Sequence, residues 1–340
     1  MSGGTVVFRC DASPSIGGGH VARCLGYADA FASAGHQVLF AISPETIACA
    51  PGLARSAHAR IMLAGTDEPL AQALAGVGAG TADLLVFDVF CSGAREESAA
   101  RPATRLLVVI DDMHDRPHDC DVLVNTNALA TPSHYVGIVP EGCRLFLGPS
   151  YAPLAPAFAT LREAALRRRA RGDSVARVLV SFGLTDPVNA TCVALQELRP
   201  IAPPQVDVVI GSQAPHLAQV SAACADWATL HVDTSEMPRL MTEADLAIGA
   251  AGSTAWERCC LGLPSVAIAI ADNQRGIASA LARAGAATVF SDISEATNGR
   301  LRAVVANLLA EPTHRIDMAS AAAEMCDGSG ARHLVEALMA

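Results

Sequence analysis

An α/β fold of two parallel sheets facing a central cleft is what this 340-residue sequence predicts. Three observations predict it. Short apolar, β-branched runs alternate with alanine- and leucine-rich helical stretches, the pattern of strand–helix–strand units. A strand runs into a glycine-rich turn and then a helix near residue 20, and equivalent turns recur near residues 183 and 252. Between the halves lies an arginine-rich stretch, Leu161–Asp173, which reads as a solvated helix end and a linker.

In the first half the strands read at Thr5–Phe8, Gln37–Phe40, Leu84–Phe87, Leu106–Ile110, Val122–Val124 and Arg144–Leu147. Helices read at His20–Ala34, with Gly35 as its stop, at about Glu68–Ala75 and at Ala94–Ala100. The pattern restarts with strands at Arg177–Phe182, Val206–Ile210, Leu230–Val232, Leu246–Ala250 and Ser265–Ile270. Its helices read at Asn189–Leu198, Thr254–Leu261 and Arg275–Ala284. A last helical segment, Ile316–Met339, is broken near Asp327-Gly328-Ser329-Gly330. The domains are therefore expected at 1–160 and 161–340, with the last helix able to pack back on the first domain.

Composition narrows the function. Hydrophobic residues are 51% and charged residues 17%, so the chain can bury a core. No apolar run reaches membrane-spanning length, and the start reads as a strand rather than a leader. The formal charge is −10, which argues against a nucleic-acid partner. All 24 positive side chains are arginine, which excludes a Walker lysine and a pyridoxal Schiff base. Any anionic ligand must be met by arginine, backbone N–H groups or helix N-termini. The 11 cysteines, without a leader, read as mostly buried reduced thiols in a cytoplasmic protein.

Four turns carry candidate chemistry. The first is Arg9-Cys10-Asp11-Ala12-Ser13 followed by Gly17-Gly18-Gly19-His20 and Arg23. Glycines permit close backbone approach, and the helix N-terminus favours a neutral imidazole, so His20 can act as a general base or simply bond the loop. The second, Ser181-Phe182-Gly183-Leu184-Thr185-Asp186 before Asn189, suits a phosphate or ordinary capping by Thr185, Asp186 or Asn189. In the third, Gly252-Ser253-Thr254 opens a helix and Glu257 lies one turn inside. Glu257 can accept ribose hydroxyls or close a capping box. Asn273 and Gln274 follow the next strand.

The fourth, Asp111-Asp112-Met113-His114-Asp115-Arg116-Pro117-His118, has the residue types of a metal cluster. Pro117 separates its histidines, so a turn rich in Asx caps is the preferred reading, with Asp111 or Asp112 at a strand end. No G-x-G-x-x-G supports a nicotinamide enzyme, and no G-x-S-x-G supports a serine hydrolase.

These residues resemble a known family: the UDP-2,4-diacetamido-2,4,6-trideoxy-β-L-altropyranose hydrolases of pseudaminic acid biosynthesis (the PseG family) and their spore-coat polysaccharide relatives. The likeness runs from Arg9–Ser13 and Gly19-His20 through Ile110-Asp111-Asp112, Gly148-Pro149-Ser150-Tyr151 and Ser181-Phe182-Gly183. It continues through Gly252–Glu257 and Asp272-Asn273-Gln274 to Asp327–Ala331.

The resemblance implies a GT-B arrangement of two Rossmann-like domains, like that of the glycosyltransferase MurG, with UDP mainly on the second. It implies no cofactor and no metal. His20, with Asp11, is the expected catalytic pair. Gly17, Gly18, Gly19, Arg23, Asp88 and Tyr151 are expected to meet substrate from the first domain. Ser181, Gly183, Thr185, Gly252, Ser253, Thr254, Glu257, Asn273 and Gln274 are expected to meet it from the second. Two departures stand out: Asp88-Val89-Phe90 has phenylalanine where the family usually has tyrosine, and Leu184 follows Gly183 where a second glycine is usual.

The expected partner is a UDP-activated diacetamido-trideoxy sugar, with the protein a monomer or weak homo-oligomer. The expected reaction is water attack at the anomeric carbon with inversion. A glycosyltransferase and a non-catalytic nucleotide-sugar binder are the alternatives.

Overall fold

The computed structural model describes residues 3–63, 70–76, 80–90 and 92–339. The chain divides into two compact units, Met1–Ala155 with Ser329–Ala340, and Pro156–Gly328.

In the first unit seven strands form one parallel sheet. They are β1 (Thr5–Cys10), β2 (Gln37–Ile42), β3 (Ala59–Met62), β4 (Ala82–Asp88), β5 (Thr104–Ile110), β6 (Val122–Asn125) and β7 (Arg144–Leu147), in the order β3-β2-β1-β4-β5-β6-β7. The central strands are apolar on both faces because helices cover both, so they read as continuous runs rather than alternations. One face buries Phe8 stacked on Phe40 at 5.2 Å, with Tyr27 and Phe31. The other buries Leu85, Phe87, Leu107 and Tyr135. Helices α1 (Gly19–Ser33), α2 (Pro44–Cys49), α3 (Pro51–Arg55), α4 (Leu70–Gly76) and α5 (Ala94–Ala100) make the crossovers. The helix expected from Glu68 begins at Leu70 among the described residues, and Glu68 itself lies outside them.

Strand β3 was not expected. Of its four residues only Ile61 is buried, so this edge strand carries no apolar run to betray it.

The second unit repeats the plan. Its strands are β8 (Arg177–Ser181), β9 (Gln205–Ile210), β10 (Thr229–Val232), β11 (Leu246–Ala250), β12 (Ser265–Ile268) and β13 (Thr288–Phe290), all parallel, in the order β10-β9-β8-β11-β12-β13. Helices α6 (Pro156–Arg169), α7 (Ala190–Leu198), α8 (Leu217–Cys224), α9 (Met237–Glu243), α10 (Thr254–Cys260), α11 (Arg275–Ala284), α12 (Arg300–Ala310) and α13 (Pro312–Met325) surround the sheet. No described helix is long and apolar enough to cross a membrane. In both sheets the chain moves outward from its first strand and then returns to that strand's other side. The switch points lie between β1 and β4 and between β8 and β11, where doubly wound sheets bind ligands beyond the carboxyl ends of the strands.

The arginine-rich stretch is not the solvated linker expected. Arg162, on α6, donates to the carbonyls of Ala323 at 2.8 Å and Cys326 at 3.0 Å, and also to that of Cys260. Arg169 is buried and donates to the carbonyls of Met241 and Thr242. These oxygens lie at the C-terminal ends of α9, α10 and α13, where the helix dipole favours a cation. The stretch is therefore part of the second unit's packing.

The final helix, α14 (Gly330–Met339), belongs to the first unit and packs on α1. Its seat requires glycine: a Cβ on Gly330 would lie 2.4 Å from the backbone N and O of Ala152. Gly330→Ala is expected to lower stability by about 1–3 kcal/mol, the usual cost of overpacking. Urea unfolding with an unchanged midpoint would show that α14 is seated otherwise.

Candidate active site

The first switch point is built around one buried carboxylate. The β1–β4 register sets Cys10 opposite Asp88, so the ends of these strands lie side by side. Beyond β1, Gly17 takes a left-handed conformation (φ 81°) and its N–H donates to the Ser13 carbonyl at 2.8 Å. That turn starts α1 at Gly19 and points His20 and Arg23, one helical turn apart, back over β4.

His20 Nδ1 lies 2.7 Å from Asp88 Oδ1. Arg23 grips both Asp88 oxygens at 2.6 Å through Nε and one terminal nitrogen. Its other terminal nitrogen donates to both oxygens of Asp112 at 2.8 Å. Cys24 Sγ adds a weaker contact to Asp88 at 3.5 Å.

Asp88 is 1% exposed. Burial pushes its carboxyl up, but the charge of Arg23, then that of His20, and hydrogen bonds from both hold it well below the usual carboxylate range. Burial also works against the Arg23 guanidinium, and Asp112 and Asp88 reverse this, raising it well above its ordinary value. An ionised Asp88 can only accept. Nδ1 of His20 therefore carries the proton, and in the neutral ring Nε2 is left as the basic nitrogen.

Asp11 stands at the same sheet end, its Oδ1 accepting from the Phe90 N–H at 3.2 Å. Burial pushes its carboxyl up, against the N–H of Phe90 and the charge of His20. Phe90, at the position of the family's usual tyrosine, is 46% exposed and sets its ring edge-on to His20 at 5.9 Å. It offers an apolar edge where a hydroxyl was usual.

Asp112 is positioned by its neighbour. Asp111 accepts the N–H groups of Met113 (3.1 Å) and His114 (2.8 Å), the Asx turn expected from the sequence, and also the Tyr135 hydroxyl at 2.9 Å. Buried His118 bonds Glu97 at 2.8 Å and stands 3.7 Å from Asp111. Asp111 and His118 of this segment thus form a polar support under the Asp112 turn.

The second switch point is a close approach of backbones. A Cβ on Gly249 would lie 2.4 Å from the Ser181 carbonyl oxygen, so only glycine lets β11 end beside β8. The helix that follows, α10, has no side-chain cap at Ser253. Gln274 extends over Gly252, its Nε2 3.5 Å from where a Cβ would stand, and its Oε1 accepts from Ile270 N at 3.1 Å.

Glu257 does not form the alternative capping box. Its Oε2 is buried without a hydrogen-bond partner, and burial pushes its carboxyl up to about 7 against the opposing charge of Arg258. Arg258, unsuspected from the sequence, is buried behind the turn and donates to the Ala250 carbonyl at 2.7 Å. Its only sequence signal is a position one helical turn after Thr254.

Several expected ligands take other roles. Both Asp88 oxygens and the Arg23 guanidinium are engaged with each other and with His20 and Asp112, so these two orient His20. Tyr151 is half-buried, packs edge-on against Phe146 at 5.1 Å and accepts the Tyr27 hydroxyl at its carbonyl, so it leans on the first unit's core. Thr185 is buried, and Gly183 takes φ 91°. The start of α7 is occupied by Asp186, whose carboxylate accepts the N–H groups of Ala190 (2.9 Å) and Thr191 (2.8 Å). A carboxylate thus caps this helix N-terminus, the ordinary capping that the sequence also allowed. The neighbouring Leu184 fixes the turn by accepting from Gly211 N at 2.8 Å.

Asp88→Asn is expected to destabilise the fold by about 3–5 kcal/mol, because it leaves the buried Arg23 charge short of a partner. The sign with pH follows from the depressed Asp88 value. The wild-type advantage is complete above the unfolded carboxyl value of about 4 and is lost as pH falls below it. Melting both proteins from pH 3 to 8 checks this, and a gap that does not narrow in acid would contradict it.

Comparisons with known proteins agree with the geometry. The family model for the glycosyltransferase family 28 C-terminal domain matches residues 193–334. The chain is 27% identical over 282 residues to the UDP-2,4-diacetamido-2,4,6-trideoxy-beta-L-altropyranose hydrolase of Campylobacter jejuni, covering 82% of this chain and 97% of that protein. It is 30% identical over 155 residues, 44% of each chain, to the spore coat polysaccharide biosynthesis protein SpsG of Bacillus subtilis. Among solved structures, MurG of Acinetobacter baumannii superposes with a TM-score of 0.64 at 16% identity over 99% of each chain. The chain is thus similar over most of its length to a UDP-diacetamido-trideoxy-altropyranose hydrolase and has a MurG-like GT-B fold.

Proposed function

We propose that the protein is a UDP-sugar hydrolase that releases UDP and a free 2,4-diacetamido-2,4,6-trideoxy-L-altrose without a metal. The observation that carries this reading is the Asp88–His20 pair. A carboxylate fixed on Nδ1 leaves Nε2 to take a proton from water. Arg23 and Asp112 hold that pair rigid, so the base is oriented before substrate arrives.

His20 orients and deprotonates a water on the face of the anomeric carbon opposite the leaving group. The incoming oxygen bonds to that carbon as the bond to the pyrophosphate oxygen breaks, which inverts the centre. UDP carries away the bonding electrons and is a good leaving group, so no strong acid is needed at its oxygen. On the second unit, Glu257 accepts the ribose hydroxyls, and Gly252, Ser253 and Thr254 admit the diphosphate to backbone N–H groups beside Gln274 and Asn273. Asp11, with its raised carboxyl, supports the sugar side.

Glycosyl transfer is the second reading, favoured by the family 28 match and the MurG-like fold. The two separate cleanly. With a panel of UDP-sugars in EDTA and no acceptor, a hydrolase forms UDP and free sugar in equal amounts. UDP formation only on addition of an acceptor, or only with added magnesium, would overturn the proposal.

His20→Asn is expected to lower kcat by roughly 10²–10⁴, with UDP affinity nearly unchanged, since it removes the base and not the nucleotide contacts. Turnover near wild type would remove His20 from the reaction.

Glu257→Ala is expected to weaken UDP binding by about 1.5–3 kcal/mol. Ribose hydroxyls donate, so they favour the ionised carboxylate, and wild-type affinity should rise with pH through about 7. Glu257→Gln should lack this limb, while the limb due to UDP's own terminal phosphate is common to both proteins. Calorimetric titration from pH 5.5 to 8.5 checks it, and parallel profiles would contradict the assignment.

A further inference from the structure

The second unit holds a second concentration of polar chemistry, at the opposite end of its sheet from the α10 turn. There a cavity of about 20 Å³ is lined by Arg168, Arg169, Arg315, Asp245 and Pro264, among others. Asp245 and Pro264 directly precede β11 and β12, so the cavity lies at the amino ends of strands whose carboxyl ends carry the candidate site. A five-residue strand separates the two by roughly 15 Å.

Of the three arginines here only Arg168 is paired with a carboxylate, that of Asp245. Arg315 is buried and gives its nitrogens to the carbonyls of Leu308, Leu309 and Asp173. Arg169, 8% exposed, gives one terminal nitrogen to two carbonyls of α9 and the loop's edge. Its Nε and other terminal nitrogen are buried with no partner, as is Nε of Arg168. The one carboxylate lining the interior, Asp245, is engaged by Arg168 and by the N–H groups of Ala176 and Arg177 at 2.9 Å. Asp173 lines the mouth and is exposed.

Capping of helix carbonyls accounts for Arg315 and for one edge of Arg169. It does not account for the remaining donors of Arg169, which a buried guanidinium leaves unmade only at a cost of one or more kcal/mol each. Burial, and then the charge of Arg168, push the Arg169 guanidinium down to about 10 against the opposing charge of Asp245.

We propose that this arginine cavity is a binding site for a small monatomic anion of the halide class, held by the free N–H groups of Arg169 and Arg168. Size favours the class: the space of about 20 Å³ beside these groups suits a guest about as large as a water molecule. Bound there, the anion neutralises the like charges of Arg168, Arg169 and Arg315 and ties α6 to α9 and α13.

Bromide is the probe, since it reports position as well as binding. The full chain is melted in sodium gluconate with bromide substituted at constant ionic strength, and crystals soaked in bromide are measured for anomalous scattering. The expected result is a saturable rise in Tm of roughly 2–4 °C. An anomalous peak should lie within hydrogen-bond reach of Arg169 Nε. Sulfate at the same ionic strength should give less. Arg169→Met should abolish the bromide response, and exposed Arg105→Met should retain it.

Should Arg169→Met fail to fold, Arg168→Gln, at a half-exposed position, must weaken the response at least threefold in midpoint concentration. A rise that never saturates, a response kept in these variants, or density refining as water with no anomalous signal would each overturn the proposal.

Discussion

The buried carboxylate of Asp88 is the constraint on which the first unit's functional end depends. It closes β4 at the switch point, and three side chains of α1, His20, Arg23 and Cys24, converge on it. A lone ionised carboxylate could not remain there, because desolvation would neutralise it. Arg23 makes the ion tenable through a two-point grip, and Asp112 satisfies the far side of the same guanidinium. His20 is then the remaining donor, and the direction of its proton is decided by a charge that it does not itself carry.

This dependence reaches further than contact distance. Arg23 is held only if the Asp112 turn is held, and that turn rests on Asp111. Asp111 in turn is fixed by backbone N–H groups, by Tyr135 and by the buried His118, which leans on Glu97 at the head of α5. The segment with the composition of a metal cluster thereby reads as the foundation of the Asp88–His20 pair. The two interpretations share residue types because both need several polar side chains converging on one point.

The sequence was informative wherever local chemistry decides structure, and silent where sheet order does. The apolar strands β1, β4, β5, β8, β11 and β12 are covered on both faces and announce themselves as runs. The glycine turns before α1 and α10 announce themselves through residues that only special backbone positions need. The edge strand β3 has a single buried residue, and the three-residue β13 is too short to show a period. The Asp88–His20 partnership spans 68 positions and follows from β1 pairing with β4 across two omitted strands, which no local pattern reports. At α7, Thr185, Asp186 and Asn189 were chemically equal candidates for the cap. The backbone decides for Asp186, whose carboxylate takes the first free N–H groups of the helix.

The absence of lysine shows what the second unit asks of its cations. Arg162, Arg169, Arg258 and Arg315 each bring a planar fork to helix-end or strand-end carbonyls, and several serve two oxygens at once. An ammonium on a flexible stem has no such fixed pair of directions. The forks are directed at backbone, so little of this positive charge is presented at the carboxyl end of the sheet. What stands there instead is Glu257, its carboxyl pushed up to about 7 by burial, with small residues beside it. A site so made favours a ligand with hydroxyls to donate and a diffuse charge to be met by N–H groups. The cation excess collects at the other end, over Arg169, where a small ion rather than a nucleotide fits the space.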